Sequence, residues 1–274
     1  MSKPAKYIDL EKVIADKNPQ LRRLLPGFVL RWIKRILHER DINDTMAALG
    51  DLHGMDFCDA LMDYMKLNVE LKGLNNVPKE GGVIIASNHP LGGLDGIALM
   101  HAVGQKRKDL QFLVNDILMN IENLRPLFVP VNKHGPNSRQ IARMIEETYA
   151  KDIAVLVFPA GMVSRKQNGV IADLEWKKSF ISKSIKYKKD IVPVYIDGTN
   201  SSFFYNLARF RKAIGIGANL EMFFLPKEMF RQRNRKITIS FGKPVPWQTF
   251  AESNKNHQQF ADEMRSKVYD MAQD

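Results

Sequence analysis

The chain has 274 residues, 45% of them hydrophobic, and 41 Lys and Arg against 30 Asp and Glu give it a formal net charge of +11. That length suits one large domain, or one domain with an attached helical segment. The single cysteine, Cys58, excludes an intramolecular disulfide and points to a reducing compartment. No run of about 18 apolar residues is free of charge, and Met1-Ser2-Lys3-Pro4 lacks the apolar core of a signal peptide. The sequence therefore predicts a cytoplasmic-type chain without a transmembrane helix. Its basic excess suits nucleic acid, an anionic bilayer or an acidic protein, and does not choose among them.

Residues 1–68 read as helical throughout. Residues 7–17 form a modest helix that Asn18-Pro19 ends. In residues 21–38, Leu21, Leu25, Phe28, Val29, Trp32 and Ile36 share one arc at about 100° per residue, with Arg23, Arg31, Lys34 and His38 opposite. Pro26-Gly27 predicts a kink, or a helix start, within it. Such a basic amphipathic helix fits a membrane interface, and it fits equally well a helix packing its greasy face on the core. Two shorter helices follow at 44–49 and 55–67, where Met55, Phe57, Cys58, Leu61, Met62 and Met65 read as core.

From Val69 the pattern changes to short apolar runs alternating with helices. Residues 69–71, 83–86, 110–114, 127–131, 153–157, 191–196 and 237–241 read as strands. Pro193 suggests an edge or bulge position for the sixth of them. Residues 97–103, 138–149 and 176–187 read as helices, and residues 250–271 as a polar helical tail. This alternation predicts an α/β fold with a mixed sheet layered with helices. The division expected is an N-terminal helical segment, 1–68, and an α/β domain with a C-terminal helix, 69–274.

The chemistry concentrates where the strand at 83–86 runs into Ser87-Asn88-His89-Pro90-Leu91-Gly92-Gly93-Leu94-Asp95-Gly96. His89 then sits at a strand's carboxyl end in a loop feeding a helix, the place where open α/β sheets hold ligands. A neutral imidazole takes a proton from a hydroxyl near pH 7, and a carboxylate fixes its tautomer. His89 and Asp95 meet in this way if the two glycines fold the loop back. The plainer alternative is a loop histidine beside an aspartate that caps the helix amides. A second loop, Phe158-Pro159-Ala160-Gly161-Met162-Val163-Ser164-Arg165, follows the strand at 153–157. Its hydroxyl, amides and fixed positive charge suit an anion, and it also reads as a surface turn.

Together, Asn-His-Pro with its following aspartate and Phe-Pro-x-Gly-x-x-Ser-Arg resemble the glycerolipid acyltransferase family typified by lysophosphatidic acid acyltransferases. The resemblance spans roughly residues 69–245. Weaker blocks, Leu127 to Lys133 and Ile191-Val192-Pro193-Val194, follow the family's order. It implies a glycerolipid acyltransferase-like fold, with His89 as the general base that deprotonates an acceptor hydroxyl and Asp95 orienting it. The hydroxyl attacks an acyl thioester directly. The resemblance further implies substrate binding by Asn88, Lys133, Phe158, Pro159, Gly161, Ser164 and Arg165, with no metal and no cofactor beyond acyl-ACP or acyl-CoA as co-substrate.

The chain departs from the family in three places. The stretch Pro90 to Leu94 is one residue longer than usual. Ala160 and Met162 replace the common Glu and Thr, and Lys133 replaces Arg. These departures resemble a bacterial branch acylating lyso-amino-acid lipids such as ornithine or glycine lipids. The implied partners are a lyso-lipid acceptor (a lyso-amino-acid lipid or lysophospholipid), an acyl carrier protein or CoA thioester, and an anionic membrane surface at the cytoplasmic face of the inner membrane. The stretches 201–212 and 229–236, where aromatics mix with cations, would supply the rim. Competing readings are a catalytically degenerate lipid-binding protein and a basic anionic-surface or nucleic-acid binder. No helix-turn-helix or zinc spacing supports nucleic acid, the histidines lack metal-ligand spacing, and no Gly-x-Ser-x-Gly elbow supports a hydrolase.

Overall fold

The structure, a computed structural model, describes residues 7–17, 19–131, 138–167 and 169–273. Helices α1 (Leu10–Lys17), α2 (Pro19–Leu24), α3 (Gly27–Ile36), α4 (Glu39–Leu49) and α5 (Gly54–Tyr64) open the chain. They lead to β1 (Asn68–Lys72), β2 (Val83–Ser87), α6 (Gly93–Gly104), β3 (Leu110–Val114), β4 (Phe128–Pro130), α7 (Ser138–Ala150) and β5 (Ala154–Val157). A short hairpin of β6 (Arg165–Gln167) and β7 (Val170–Ala172) precedes α8 (Ser179–Tyr187) and β8 (Asp190–Ile196). The chain ends in α9 (Ser202–Ala213), α10 (Leu225–Arg231), β9 (Lys236–Phe241), α11 (Trp247–Ala251) and α12 (His257–Asp270).

The main sheet has seven strands in the order β1-β9-β8-β2-β5-β3-β4. Only the β8–β9 pair is antiparallel, so the sheet is mixed, as the strand–helix alternation predicted. Strand β2 is apolar throughout because it is covered on both faces. Val83 and Ile85 point into a core shared with α5 and α6. Ile84 and Ala86 point into a second core with Trp176, Phe180, Phe260 and Met264 on the α8 and α12 side. Burying each such isoleucine is worth about 1.5–3 kcal/mol, which makes β2 a rigid base for the loop that follows it.

Two expectations need correction, and a third is narrowed. Strand β8 is not at an edge: it lies between β2 and β9. Of the two positions expected for Pro193 the bulge holds: its missing N–H faces the β9 side, where Val194 pairs with Phe241 and Ile191 with Val245, leaving one extra residue on that side. Pairing with β9 runs over Val194–Ile196, and at Pro193 only the carbonyl is used, accepting from Gly242 N–H at 2.8 Å. The Ser-Arg turn is not on the surface, since both residues are buried and Arg165 opens β6. The C-terminal tail is two helices, and α12 buries Phe260, Ala261, Met264 and Val268. It is amphipathic rather than simply polar.

Among the amino-terminal helices, α5 belongs to the sheet's core through Phe57, Cys58, Leu61 and Met62. Helix α3 begins after Pro26, whose carbonyl accepts from Leu30 N–H at 3.1 Å. It turns Leu30 inward and leaves Phe28 and Trp32 exposed. Of the arc predicted to be greasy, Phe28 and Trp32 face solvent while Leu25, Val29 and Ile36 are half-buried. Among the described residues, no helix is long and apolar enough to cross a membrane.

Candidate active site

Strands β2, β5 and β8 are parallel neighbours, so the loops leaving their carboxyl ends converge on one edge of the sheet. Asn88 is the first residue past β2, and its side chain acts as one more rung of the ladder. Its Nδ2 donates to Ile196 O at 2.9 Å and its Oδ1 accepts from Ile196 N–H at 2.7 Å. The side chain is buried and both polar atoms are used, so Asn88 fixes the loop root.

His89 follows, its side chain 16% exposed. The loop folds back far enough to place Nδ1 2.9 Å from Oδ2 of the fully buried Asp95, despite the extra residue between them. Gly92 makes the turn possible. Its φ of 89° lies where side chains are strained, and a Cβ there would meet Leu225 at 3.0 Å. Oδ2 of Asp95 also accepts the amides of Leu91 at 2.7 Å and Gly92 at 3.0 Å. An oxygen taking three donors calls for Nδ1 as the N–H donor of the ring, and among the described residues Nε2 has no hydrogen-bond partner. Burial pushes the Asp95 carboxyl above the usual carboxylate range, opposed by His89 and the two amides.

Phe158 closes the other side of the imidazole, stacked on it at 4.1 Å between centroids with a 17° tilt. Phe112 meets Phe158 edge-on at 5.0 Å. The backbone then turns through Pro159, Ala160 and Gly161, where Gly161 N–H donates to Phe158 O at 2.9 Å and Gly161 takes φ 65°. Ala160 is buried in the core, where the family more often carries Glu. Ser164 ties this loop to the first, its N–H donating to His89 O at 2.8 Å. Its Oγ donates to Asp173 Oδ1 at 2.6 Å.

Arg165 stands apart from this group of contacts. Its guanidinium donates to Val163 O at 2.8 Å and Glu221 Oε1 at 2.9 Å, and lies over the Phe204 ring at 5.5 Å. Arg211 grips the same carboxylate, at 2.5 Å on Oε2. Burial alone would raise Glu221, but the two arginines outweigh it and hold its carboxyl below the usual range. The Arg165 fork is thus engaged inside the protein. Lys133 lies outside the described residues.

Of the residues picked from sequence, Asp95 and Phe158 meet the His89 imidazole and Ser164 meets its main chain, while Pro159 and Gly161 shape the turn that follows Phe158. Asn88 and Arg165 have their polar atoms bound within the chain. Several residues went unnoticed. Asp173 accepts the His89 N–H at 3.1 Å. Asn200 donates from Nδ2 to Pro90 O at 3.0 Å, and its N–H donates to Tyr205 Oη at 3.1 Å. None has a local pattern that marks it; each gains its partner from a distant stretch of chain. A cleft lined by Asn76, Pro78, Gly82 and Asp190 sits at the opposite, amino-terminal ends of β2 and β8. Among the described residues, no three His, Cys, Asp or Glu side chains gather as a metal-ligand group.

A histidine–aspartate pair thus lies at the carboxyl edge of a mixed α/β sheet, backed by a Phe-Pro turn. The sequence matches the acyltransferase family over residues 12–273, and the chain belongs to that family: it is an acyltransferase. It is 46% identical over 263 residues to a lyso-glycine lipid O-acyltransferase of Bacteroides thetaiotaomicron, covering 96% of each chain. A second lyso-glycine lipid O-acyltransferase, from Phocaeicola vulgatus, is 43% identical over 263 residues, covering 96% of this chain and 94% of its own. The crystal structure of the 1-acyl-sn-glycerophosphate acyltransferase of Thermotoga maritima aligns with a TM-score of 0.49 at 18% identity, over 93% of this chain and 83% of that one.

Proposed function

We propose that the protein transfers a fatty acyl chain from an acyl thioester to the hydroxyl of a lyso-glycine lipid, working at a membrane surface. One observation carries the reading: Nδ1 of His89 is held by Asp95 at 2.9 Å, which leaves Nε2 as the base. The acceptor class is taken from the two relatives, which share nearly the full length of the chain.

In the proposed step, Nε2 of His89 removes the proton from the acceptor hydroxyl as its oxygen attacks the thioester carbonyl. The C–S bond then breaks, the thiolate leaves, and the imidazolium returns the proton to it. Asp95 stabilises the imidazolium through Nδ1. Acid–base assistance of this kind is worth about 10²–10⁴ in rate. The donor is acyl carrier protein or CoA. Both are acidic at the contact, so both suit a chain of net charge +11.

The membrane part of the reading rests on exposed apolar side chains beside cations. Leu24, Phe28 and Trp32 lie on α2 and α3 with Arg31 and Arg35 exposed among them. Phe203, Phe210 and Ile214 lie exposed on and just after α9. Peripheral attachment to the cytoplasmic leaflet of the inner membrane needs such a face and such charges.

The test is direct. Purified protein is given a synthetic lyso-glycine lipid with palmitoyl-CoA or palmitoyl-ACP, and the diacylated product is read by mass. Product from wild type, and its loss in a folded His89→Ala variant, supports the reading. Binding of the lipid without product from either donor would reduce the protein to a lipid carrier.

A further inference from the structure

We propose that Asp173 is a positioning residue of this site, holding the main chain of His89 while Asp95 holds its ring. The kinetic part of the proposal rests on the acyl-transfer reading above; the structural part does not.

Asp173 follows β7, and its carboxylate is almost wholly buried at 3% exposure. Three donors from separate stretches of chain meet on it. His89 N–H reaches Oδ1 at 3.1 Å, Ser164 Oγ–H reaches the same oxygen at 2.6 Å, and Trp176 Nε1–H reaches Oδ2 at 2.9 Å. Among the described residues, no lysine or arginine forms an ion pair with this carboxylate. A buried carboxylate satisfied only by neutral donors keeps its geometry strictly, because losing any one donor leaves part of the charge unpaired.

The bonds close a ring. Asp173 takes the N–H of His89, Ser164 N–H donates back to His89 O at 2.8 Å, and the Ser164 hydroxyl returns to Asp173. Both peptide groups of the proposed base are thereby fixed. The clasp is anchored from the far face of the sheet. Asp173 N–H donates to Tyr269 Oη at 2.7 Å, and Arg265 donates to Asp173 O at 2.6 Å. Both of these residues lie on α12, so the carboxy-terminal helix reaches the imidazole through one aspartate. This also gives Ser164 a different part from the one its motif suggests: it joins the two loops and does not face a substrate.

The experiment uses Asp173→Asn and Ser164→Ala in the full chain with histidine labelled in nitrogen-15. Asparagine presents an N–H₂ to a site now filled by donors, so one bond must break. Ser164→Ala removes a single donor and leaves the carboxylate in place. The downfield Nδ1 proton of His89, assigned by its loss in His89→Gln, should be sharp in wild type and broadened or lost in Asp173→Asn, with melting still cooperative. With palmitoyl-CoA and the lyso-glycine lipid, kcat should fall about 10-fold to 100-fold while both KM values hold, the size expected for a displaced catalytic group. Ser164→Ala should show a smaller loss of the same kind. If Asp173→Asn does not fold, the proposal stands or falls on Ser164→Ala. An unchanged imidazole signal with unchanged kcat overturns the proposal, and so does a loss confined to KM. Should wild type show no transfer, the reading of function fails, and the imidazole signal still decides the part played by Asp173.

Discussion

Oδ2 of Asp95 carries two duties at once: it accepts from Nδ1 of His89 at 2.9 Å and from the amides of Leu91 and Gly92 that lead into α6. Capping and base orientation are alternatives when only the sequence is considered, yet one oxygen does both. The cost falls on the other oxygen. Among the described residues Oδ1 is buried without a hydrogen-bond partner, and burial raises the carboxyl's affinity for a proton.

That cost makes Asp95→Asn informative. A carboxyl raised on folding binds a proton more readily in the native chain than in the unfolded one. Unfolding free energy then falls as pH rises from the ordinary carboxylate range to the native value, and the penalty is complete above it. Asparagine removes the penalty. The variant should melt higher than wild type near neutral pH, by about 2–4 °C for each kcal/mol relieved. The gain should shrink as the pH is lowered toward the carboxylate range. Acyl transfer should fall about 10²–10⁴-fold, because the imidazole loses the partner that sets its tautomer. Calorimetry across pH with a product assay checks both; a variant both less stable and fully active would refute the account.

Gly96 sets the spacing behind the ring stack. A Cβ at that position would come within 2.5 Å of Phe112, whose ring meets Phe158 edge-on, and Phe158 stacks on His89. Gly96→Ala should therefore cost about 1–3 kcal/mol of stability as an overpacked contact and lower kcat through the displaced rings. Trimming the obstruction, in Gly96→Ala with Phe112→Leu, should recover part of both. Chemical denaturation beside a product assay gives the comparison.

How far the site could be read in advance depended on how local its bonds are. His89 and Asp95 are six residues apart with glycines between them, and β2 is an uninterrupted apolar run. Turn chemistry and periodicity expose such a pair directly. Asp173 reaches His89 across 84 residues, and Glu221 reaches Arg165 across 56. Nothing near either acid marks it, so Ser164 and Arg165 read as a substrate-facing turn when each is already bound inside the chain. Pro193 left edge and bulge open because the rule concerns which N–H goes unused, and a central strand accommodates proline where the ladder to its neighbour bulges. Helix α3 shows the limit of periodicity: a greasy arc can be located without knowing whether protein or something else covers it.

The lone thiol supplies a check on the core of α5. Cys58 is completely buried, and burial pushes its thiol up to about 12. Only the thiolate reacts with disulfide reagents or alkylators. At pH 8 the native protein should leave Ellman's reagent unreacted, and one equivalent should react once denaturant unfolds the chain. Prompt labelling of folded protein would place α5 outside the core.

The amino-terminal helices make the membrane reading testable without substrate. Leu24, Phe28 and Trp32 remain 78%, 67% and 61% exposed at successive turns of α2 and α3, a concentration of apolar surface that the core does not use. Lys34 is turned inward to Glu11 at 2.6 Å, whereas Arg31 and Arg35 face out beside the aromatics. Apolar burial and positive charge then act on the same face, each cation adding about 1 kcal/mol near an anionic surface. The two contributions separate by salt, since charges are screened beyond about 10 Å at 0.1 M while apolar burial is not. Flotation with vesicles rich in anionic lipid should capture the wild type, with capture weakening but not vanishing as salt rises. Phe28→Ser with Trp32→Ser should remove the salt-resistant part, and Arg31→Ser with Arg35→Ser should flatten the salt dependence. Equal capture of all three proteins at every salt concentration would show that the bilayer is met by some other face.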